Sequence, residues 1–402
     1  MDTPASDFVR TGSLAEPQGQ GAACLLAGGG GELLHKTGSK MKASLFCAAR
    51  YLGAAPHDIW PLSGKHYSGE AAVRSMQTTF DQFRCADEFG FDWVTVAEHH
   101  YSGFSLTPNP MVMAGALSQI VRRAKIAVLG PTLPILNPVR VAEELAMLDT
   151  MTGGRLVAGM MRGTPNEYVT YNINPAESRE RFAEALNLIR RAWTETRPFG
   201  WLGRYYQYRT ISIWPRPVQK PHPPLYMSGS SPEAGEFAAK NHIGIGFAFT
   251  TVPLAKSAVQ HYRTCARDAG WEPAAEDVIY RAMFHVADTD EAAFADMSTL
   301  PPRISLVDQN KAIAEGVRQS GYYGADAVAQ RQRTSRRELA DRIALGQVIV
   351  GGPDTVLAQV RSIRDDLGAG ILDLVVGAQL GERTLHSIEL FGTKVLPRMR
   401  EL

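Results

Sequence analysis

From Lys42 onward, short apolar runs alternate with stretches whose apolar residues recur every three or four positions, which predicts strands alternating with amphipathic helices. Ala43 to Cys47 reads as the first strand, followed by a helix with Val73, Met76, Phe80 and Phe83 along one face. Strand Trp93 to Ala97, helix Met111 to Ile120, strand Ile126 to Leu129, helix Val139 to Met151 and strand Leu156 to Gly159 continue the rhythm. Helix Glu177 to Thr194 then presents Phe182, Leu186, Ile189 and Trp193 as one stripe, and Pro-rich Trp214 to Pro224 leads into strand Leu225 to Met227. Strand Gly244 to Phe249, helix Leu254 to Ala269, strands Val278 to Val286 and Ile371 to Val376, and a closing helix from Leu385 complete the series. Such alternation predicts a parallel sheet with helical crossovers. Eight strands without a reversal favour an α/β fold of the (β/α)8 TIM-barrel type over an open, doubly wound sheet.

Two stretches break the rhythm. Residues 1–40 are rich in Gly, Ala, Ser and Thr and lack either period, which predicts a disordered tail before a barrel domain spanning 41–402, with Met41 as the natural start. The segment from Asp290 to Leu345 is long and polar between the seventh and eighth strands, an insertion before the last strand. It reads either as a mobile lid over the barrel mouth or as extra helices or disordered decoration.

Composition removes several function classes. The net charge is +1 with Lys and Arg dispersed, which argues against a nucleic-acid partner. Cys24, Cys47, Cys85 and Cys265 are far apart and form no CxxC pair, so neither a zinc site nor a disulfide framework is expected. The Ala22 to Ala27 run is too short, and the stretch before it too charged, for a secretory signal, and no segment could span a bilayer. A cytoplasmic protein with reduced thiols is the expectation.

Polar residues directly after barrel strands converge on one mouth, so three places draw attention. Glu98-His99-His100 follows the second strand, where an imidazole can take or give a proton near neutral pH; structural hydrogen bonding and metal ligation remain open. No HExxH or similar cluster supports a metal. Arg162 follows strand Leu156 to Gly159, where a guanidinium can fork onto phosphate oxygens or pair with Glu167. Gly229, Ser230 and Ser231 follow strand Leu225 to Met227, and with Pro232 they suit either an anion cradle of backbone N–H groups or an ordinary helix N-cap. The Gly28 to Gly31 tract lacks the GxGxxG spacing of a dinucleotide site.

Three stretches carry a resemblance: FDWVTVAEHHYS from Phe91, NPVRVAEELAMLDTMTGGRLVAGMMRG from Asn137, and SIWPRPVQKPHPPLYMSGSS from Ser212. Together they resemble the bacterial luciferase-like flavin-dependent monooxygenases, over roughly Lys42 to Leu402. The resemblance implies a TIM barrel that takes reduced FMN from a separate flavin reductase and oxygenates a small organic substrate with dioxygen, through a flavin hydroperoxide. It places His99 at the active-site histidine, Arg162 with Ser230 and Ser231 at the flavin phosphate, Thr132 against the flavin ring, and Tyr168 in the loop over the phosphate end. It also implies a homodimer through the helices Met111 to Ile120 and Val139 to Met151. A deazaflavin-dependent oxidoreductase and a non-catalytic flavin-binding protein of the same fold are the alternatives.

Overall fold

Strands buried on both faces need near-continuous apolar runs, and this chain supplies them. The computed structural model describes residues 40–56, 59–229, 231–300, 315, 318–319 and 338–402. The expected tail, apart from Lys40, and the middle of the expected insertion lie outside the described residues.

Eight parallel strands close the barrel: β1 (Lys42–Phe46), β2 (Trp93–Val96), β3 (Lys125–Val128), β4 (Leu156–Gly159), β7 (Leu225–Ser228), β8 (Gly244–Ala248), β9 (Val278–Val286) and β11 (Ile371–Val376). They run β1-β2-β3-β4-β7-β8-β9-β11 and return to β1, with the pairing of β8 to β9 completing the circle. These are the eight strands that the apolar runs predict. A closed parallel barrel has no free edge, which is how short strands such as WVTV and LVAG are held.

Three strands depart from the expectation. β5 (Phe199–Leu202) and β6 (Gln207–Ile211) form a separate antiparallel pair with half-buried residues and no strong apolar run. Glu184 pins it by accepting from the N–H groups of Tyr205 and Tyr206, each at 3.0 Å. β10 (Val348–Gly351) pairs with the outer half of β9, from Met283 to Val286, whereas β8 pairs with the inner half, from Val278 to Arg281. The barrel wall thus passes from β8 to β10 along one long strand.

The helices lie against this wall: α1 (Gly69–Glu88), α2 (Pro110–Ile120), α3 (Pro138–Met151), the short α4 (Pro165–Tyr171), α5 (Ser178–Thr194), α6 (Pro232–Lys240), α7 (Val252–Asp268), α8 (Asp290–Ser298), α9 (Leu339–Ala344), α10 (Pro353–Leu367) and α11 (Glu382–Leu390). The α5 stripe is buried as predicted, and Trp193 donates its indole N–H to the Ala142 carbonyl at 2.9 Å. The expected face of α1 holds at three positions, with Phe83 fully buried and Met76 and Phe80 packed against the core. Val73 is 56% exposed, and Ala71, Ser75, Thr79, Gln82 and Ala86 face inward. Ser75 and Thr79 can be buried because each hydroxyl donates to the carbonyl four residues back, at 2.6 and 2.8 Å. Small residues and two back-bonded hydroxyls thus share the buried side of α1 with Phe83. No helix among the described residues is long and apolar enough to cross a membrane.

Candidate active site at the barrel mouth

The second strand ends in the buried pair Glu98 and His100 with His99 between them. Alternation along the chain sends neighbouring side chains in opposite directions, so His99 points away from its two neighbours. Glu98 Oε1 meets His100 Nε2 at 3.0 Å, and Glu98 Oε2 accepts the Thr132 N–H at 3.0 Å. The Trp60 indole donates to the His100 carbonyl at 2.9 Å. Glu98 and His100 therefore tie the end of β2 to the loop after β3.

His99 is placed differently. Its Nδ1 lies 3.3 Å from Glu167 Oε1, its ring packs edge-on against Phe104, and its side chain is 24% exposed. Nε2 has no partner among the described residues. Glu167 is the third residue of α4, and its other oxygen accepts the Thr164 N–H at 3.0 Å while Asn166 Nδ2 donates to Oε1 at 2.9 Å. The Thr164 hydroxyl also bonds Glu167. A buried carboxylate with this many donors is fixed, so the imidazole tethered to it is fixed as well.

Glu167 was visible in the sequence only as a possible partner for Arg162. The structure joins it to His99, 68 residues away. The readable signal was Thr164-Pro165-Asn166-Glu167, a capping-box spacing with Pro at the first helical position.

Arg162 lies in the loop between β4 and α4, one strand from the end of β3 and two from His99. Tyr168 is buried and its hydroxyl donates to the Arg162 carbonyl, so Tyr168 shapes the Arg162 backbone. Gly163 has φ +89°, and a Cβ there would come 2.3 Å from Thr132 Cγ2; only glycine lets this loop close on the end of β3. Both backbone polar groups of Thr132 are engaged, the N–H with Glu98 and the carbonyl with the Ile135 N–H at 3.1 Å.

On β7, next to β4, the expectation of exposed amides is not met at Gly229, whose N–H donates to the Gly246 carbonyl at 3.0 Å in the barrel ladder. Glycine is needed there for packing, since a Cβ would lie 2.9 Å from Ile245 Cβ. Ser230 lies outside the described residues. Ser231 is the N-cap of α6, accepting from the Ala234 N–H at 3.3 Å. Glu233 occupies the same turn: its own N–H, then the Ser231 hydroxyl, then Arg179 at 3.6 Å hold its carboxyl below the ordinary value. A carboxylate already sits where an anion would bind.

Two further charged residues stand in the barrel interior and were not singled out by position after a strand. Arg281 of β9 donates Nε–H to Asp373 Oδ2 of β11 at 2.6 Å, and its guanidinium lies 3.9 Å above the Phe46 ring of β1. Among the described residues no cluster of His, Cys, Asp and Glu could hold a metal ion.

The chain has known relatives. The sequence signature of the family described as luciferase-like monooxygenase matches residues 58–369. The chain is 27% identical over 351 residues to 4-hydroxyprotoasukamycin monooxygenase of Streptomyces nodosus subsp. asukaensis, covering 84% of this chain and 90% of that protein. It is 28% identical over 331 residues to an F420-dependent glucose-6-phosphate dehydrogenase of Nakamurella multipartita, covering 79% and 91%. Among solved structures, the oxygenating constituent of 3,6-diketocamphane monooxygenase from Pseudomonas putida, a type II Baeyer–Villiger monooxygenase in complex with FMN, superposes with a TM-score of 0.70 at 20% identity. That superposition covers 89% of this chain and 98% of that one. Similarity thus extends to enzymes named for FMN and to enzymes named for F420. With its closed barrel and a signature covering most of its length, the chain belongs to the luciferase-like monooxygenase family.

Proposed function

We propose that this enzyme is the oxygenase of a two-component monooxygenase, taking reduced FMN from a separate flavin reductase and using dioxygen to oxygenate a small organic substrate. The observation that carries this reading is His99, with Nδ1 tethered to buried Glu167 and Nε2 open at the barrel mouth. Two groups suit a phosphorylated flavin, a guanidinium at Arg162 and, where the phosphate displaces the Glu233 carboxylate, the hydroxyl-capped helix start at Ser231, on adjacent strands. Bound reduced FMN supplies the electrons that activate dioxygen.

The chain's own residues supply position and proton control. Arg162, Ser230 and Ser231 would hold the phosphate, while Thr132 and Gly229 keep the strand ends close by packing and hydrogen bonds within the barrel. Tyr168 fixes the Arg162 backbone from beneath. With Nδ1 held by Glu167, the Nε2 of His99 can accept or return a proton at the reacting oxygen. The alternative is hydride transfer with a deazaflavin, supported by the F420-dependent relative. We also infer a homodimer, because Val112 of α2 and Met147 and Met151 of α3 leave apolar side chains exposed.

The test mixes purified protein and reduced FMN with oxygenated buffer, follows absorbance, and screens aldehydes, ketones and amines for altered decay and oxygenated product. Substrate-dependent product with little hydrogen peroxide supports the reading. Tight deazaflavin binding without any reaction of dioxygen with bound FMN would establish the alternative, and tight oxidised-FMN binding without oxygen uptake would indicate a non-catalytic flavin binder.

A further inference from the structure

We propose that the far side of the mouth is a carboxylate-binding subsite, in which the open edge of Arg281 above the Phe46 face anchors an acidic organic substrate. The proposal rests on reading the mouth as the site of oxygenation.

The geometry begins with a charge pair where barrels ordinarily place branched apolar residues. The Arg281 and Asp373 side chains are only 11% and 0% exposed. Burying such a pair costs desolvation that apolar residues of similar size avoid, so stability does not account for it. Asp373 Oδ2 holds Nε alone, and Nη1 and Nη2 of Arg281 have no partner among the described residues. A guanidinium fixed through Nε and stacked on a ring keeps its end-on edge in one plane, the geometry that two carboxylate oxygens match.

The surroundings favour an organic acid. Phe46, Ala97 and Val375 form an apolar cluster, with Phe249 and Met283 packed against it, which suits the hydrocarbon part of a ligand. Among the described residues the local charge is positive: Asp373 offsets Arg281, and Arg342 of α9 directs Nη2 to the Met283 sulfur at 3.2 Å, a weak acceptor that carries no charge. Arg281 stands where β8 ends and β10 takes over, so its guanidinium belongs to the wall of the mouth.

The test is calorimetric binding of benzoate and of its neutral isostere benzamide to the full chain, both free of flavin and loaded with FMN. Wild type should bind benzoate at least about ten-fold more tightly than benzamide in both states. Because R281M alone strands a buried carboxylate, the removal variant is R281M/D373N, checked for an intact cooperative melt; it should bind the two compounds equally. R281K, which keeps charge without the planar fork, should retain part of the preference.

Equal binding of benzoate and benzamide by wild type would overturn the proposal, as would a preference that survives in R281M/D373N. A benzoate preference abolished by loading FMN, together with at least ten-fold weaker FMN binding in R281M/D373N, would assign this edge to the cofactor and also overturn it. If bound FMN fails to react with dioxygen while the benzoate preference persists, the cofactor reading fails and the carboxylate subsite stands.

Discussion

The two ends of the barrel carry similar residues and use them in opposite ways. At the N-terminal end, Lys42 meets Glu276 at 2.6 Å, Arg400 meets Asp92 at 2.9 Å, and Asp87 accepts the N–H groups of Arg122, Arg123 and Ala124 at 2.8, 2.9 and 2.7 Å. The charges there are spent on holding strand entrances and turns. At the C-terminal end, His99 and Arg281 are each held through one nitrogen while another polar edge has no partner among the described residues. The backbone leans the same way: among the described residues Ala49, Tyr101 and Phe249, in the loops after β1, β2 and β8, have φ of +48°, +52° and +57°, against His242 at +54° before β8 at the other end. Left-handed conformations in non-glycine residues are unfavourable and collect where function constrains the loop. A saturated end stabilises, and an end with open, fixed polar atoms can act on a ligand.

Breaking this contrast at its functional end should have the largest effect. Replacing His99 with alanine should lower substrate oxygenation by about 10²- to 10⁴-fold while leaving FMN affinity within about three-fold, because the proton-transfer group is lost and the phosphate donors remain. Product formation measured against hydrogen peroxide release checks it; unchanged product yield would remove His99 from the chemistry.

The structural end should respond in stability instead. Burial raises the Asp87 carboxyl, but bonds from three backbone N–H groups and the charge of Arg123 outweigh it and hold the carboxyl below its ordinary value. Its folded-state value is depressed, so its contribution is present above the unfolded value near about 4 and is lost as pH falls through the folded value. Asp87→Ala should cost about 2–3 kcal/mol at neutral pH and progressively less in acid, with the activity of the folded enzyme retained. Denaturant melts at several pH values read this directly. A difference that stays constant into strong acid would show that the carboxylate charge is irrelevant.

The same contrast explains what was legible in the sequence. The eight barrel strands could be read because strands buried on both faces leave unbroken apolar runs. The β5–β6 pair could not, since its residues are half exposed and its anchor, Glu184, is on a helix. His99 and Arg162 were found by position after a strand. The support of His99 does not show there, because Glu167 is 68 residues away, nor does the Arg281–Asp373 pair, whose members are 92 residues apart. A lone charge inside each of the runs VIYRAMFHV and ILDLVV was the available signal, and strand pairing brings the two opposite each other.

Glu167→Gln tests whether the tether of His99 is part of the site or only part of the fold. The amide keeps a hydrogen-bonding group at the Thr164 turn but removes the negative charge beside Nδ1. Oxygenation should fall by roughly ten-fold, smaller than the His99→Ala effect, with more hydrogen peroxide released per reduced FMN and an unchanged melting temperature. A fall in melting temperature with unchanged partition between product and peroxide would make Glu167 a cap and nothing more.

The smallest effect expected is at Glu233, where the contrast between the two ends becomes incomplete. This carboxylate lies in the first turn of α6, held by its own N–H, by Ser231 and by Arg179, and so occupies donors that the proposed phosphate would use. It is more than half exposed, so its repulsion of an incoming phosphate is screened by water and salt. Glu233→Gln removes the charge and leaves the Ser231 N-cap to Ala234 in place, so FMN should bind about two- to five-fold more tightly at low salt, with the gain shrinking as ionic strength rises. Fluorescence titration of FMN at several salt concentrations measures it. Riboflavin, which lacks the phosphate, should bind both proteins alike; an equal gain for riboflavin would mean that the substitution acts on the pocket generally and that the phosphate lies elsewhere on the mouth.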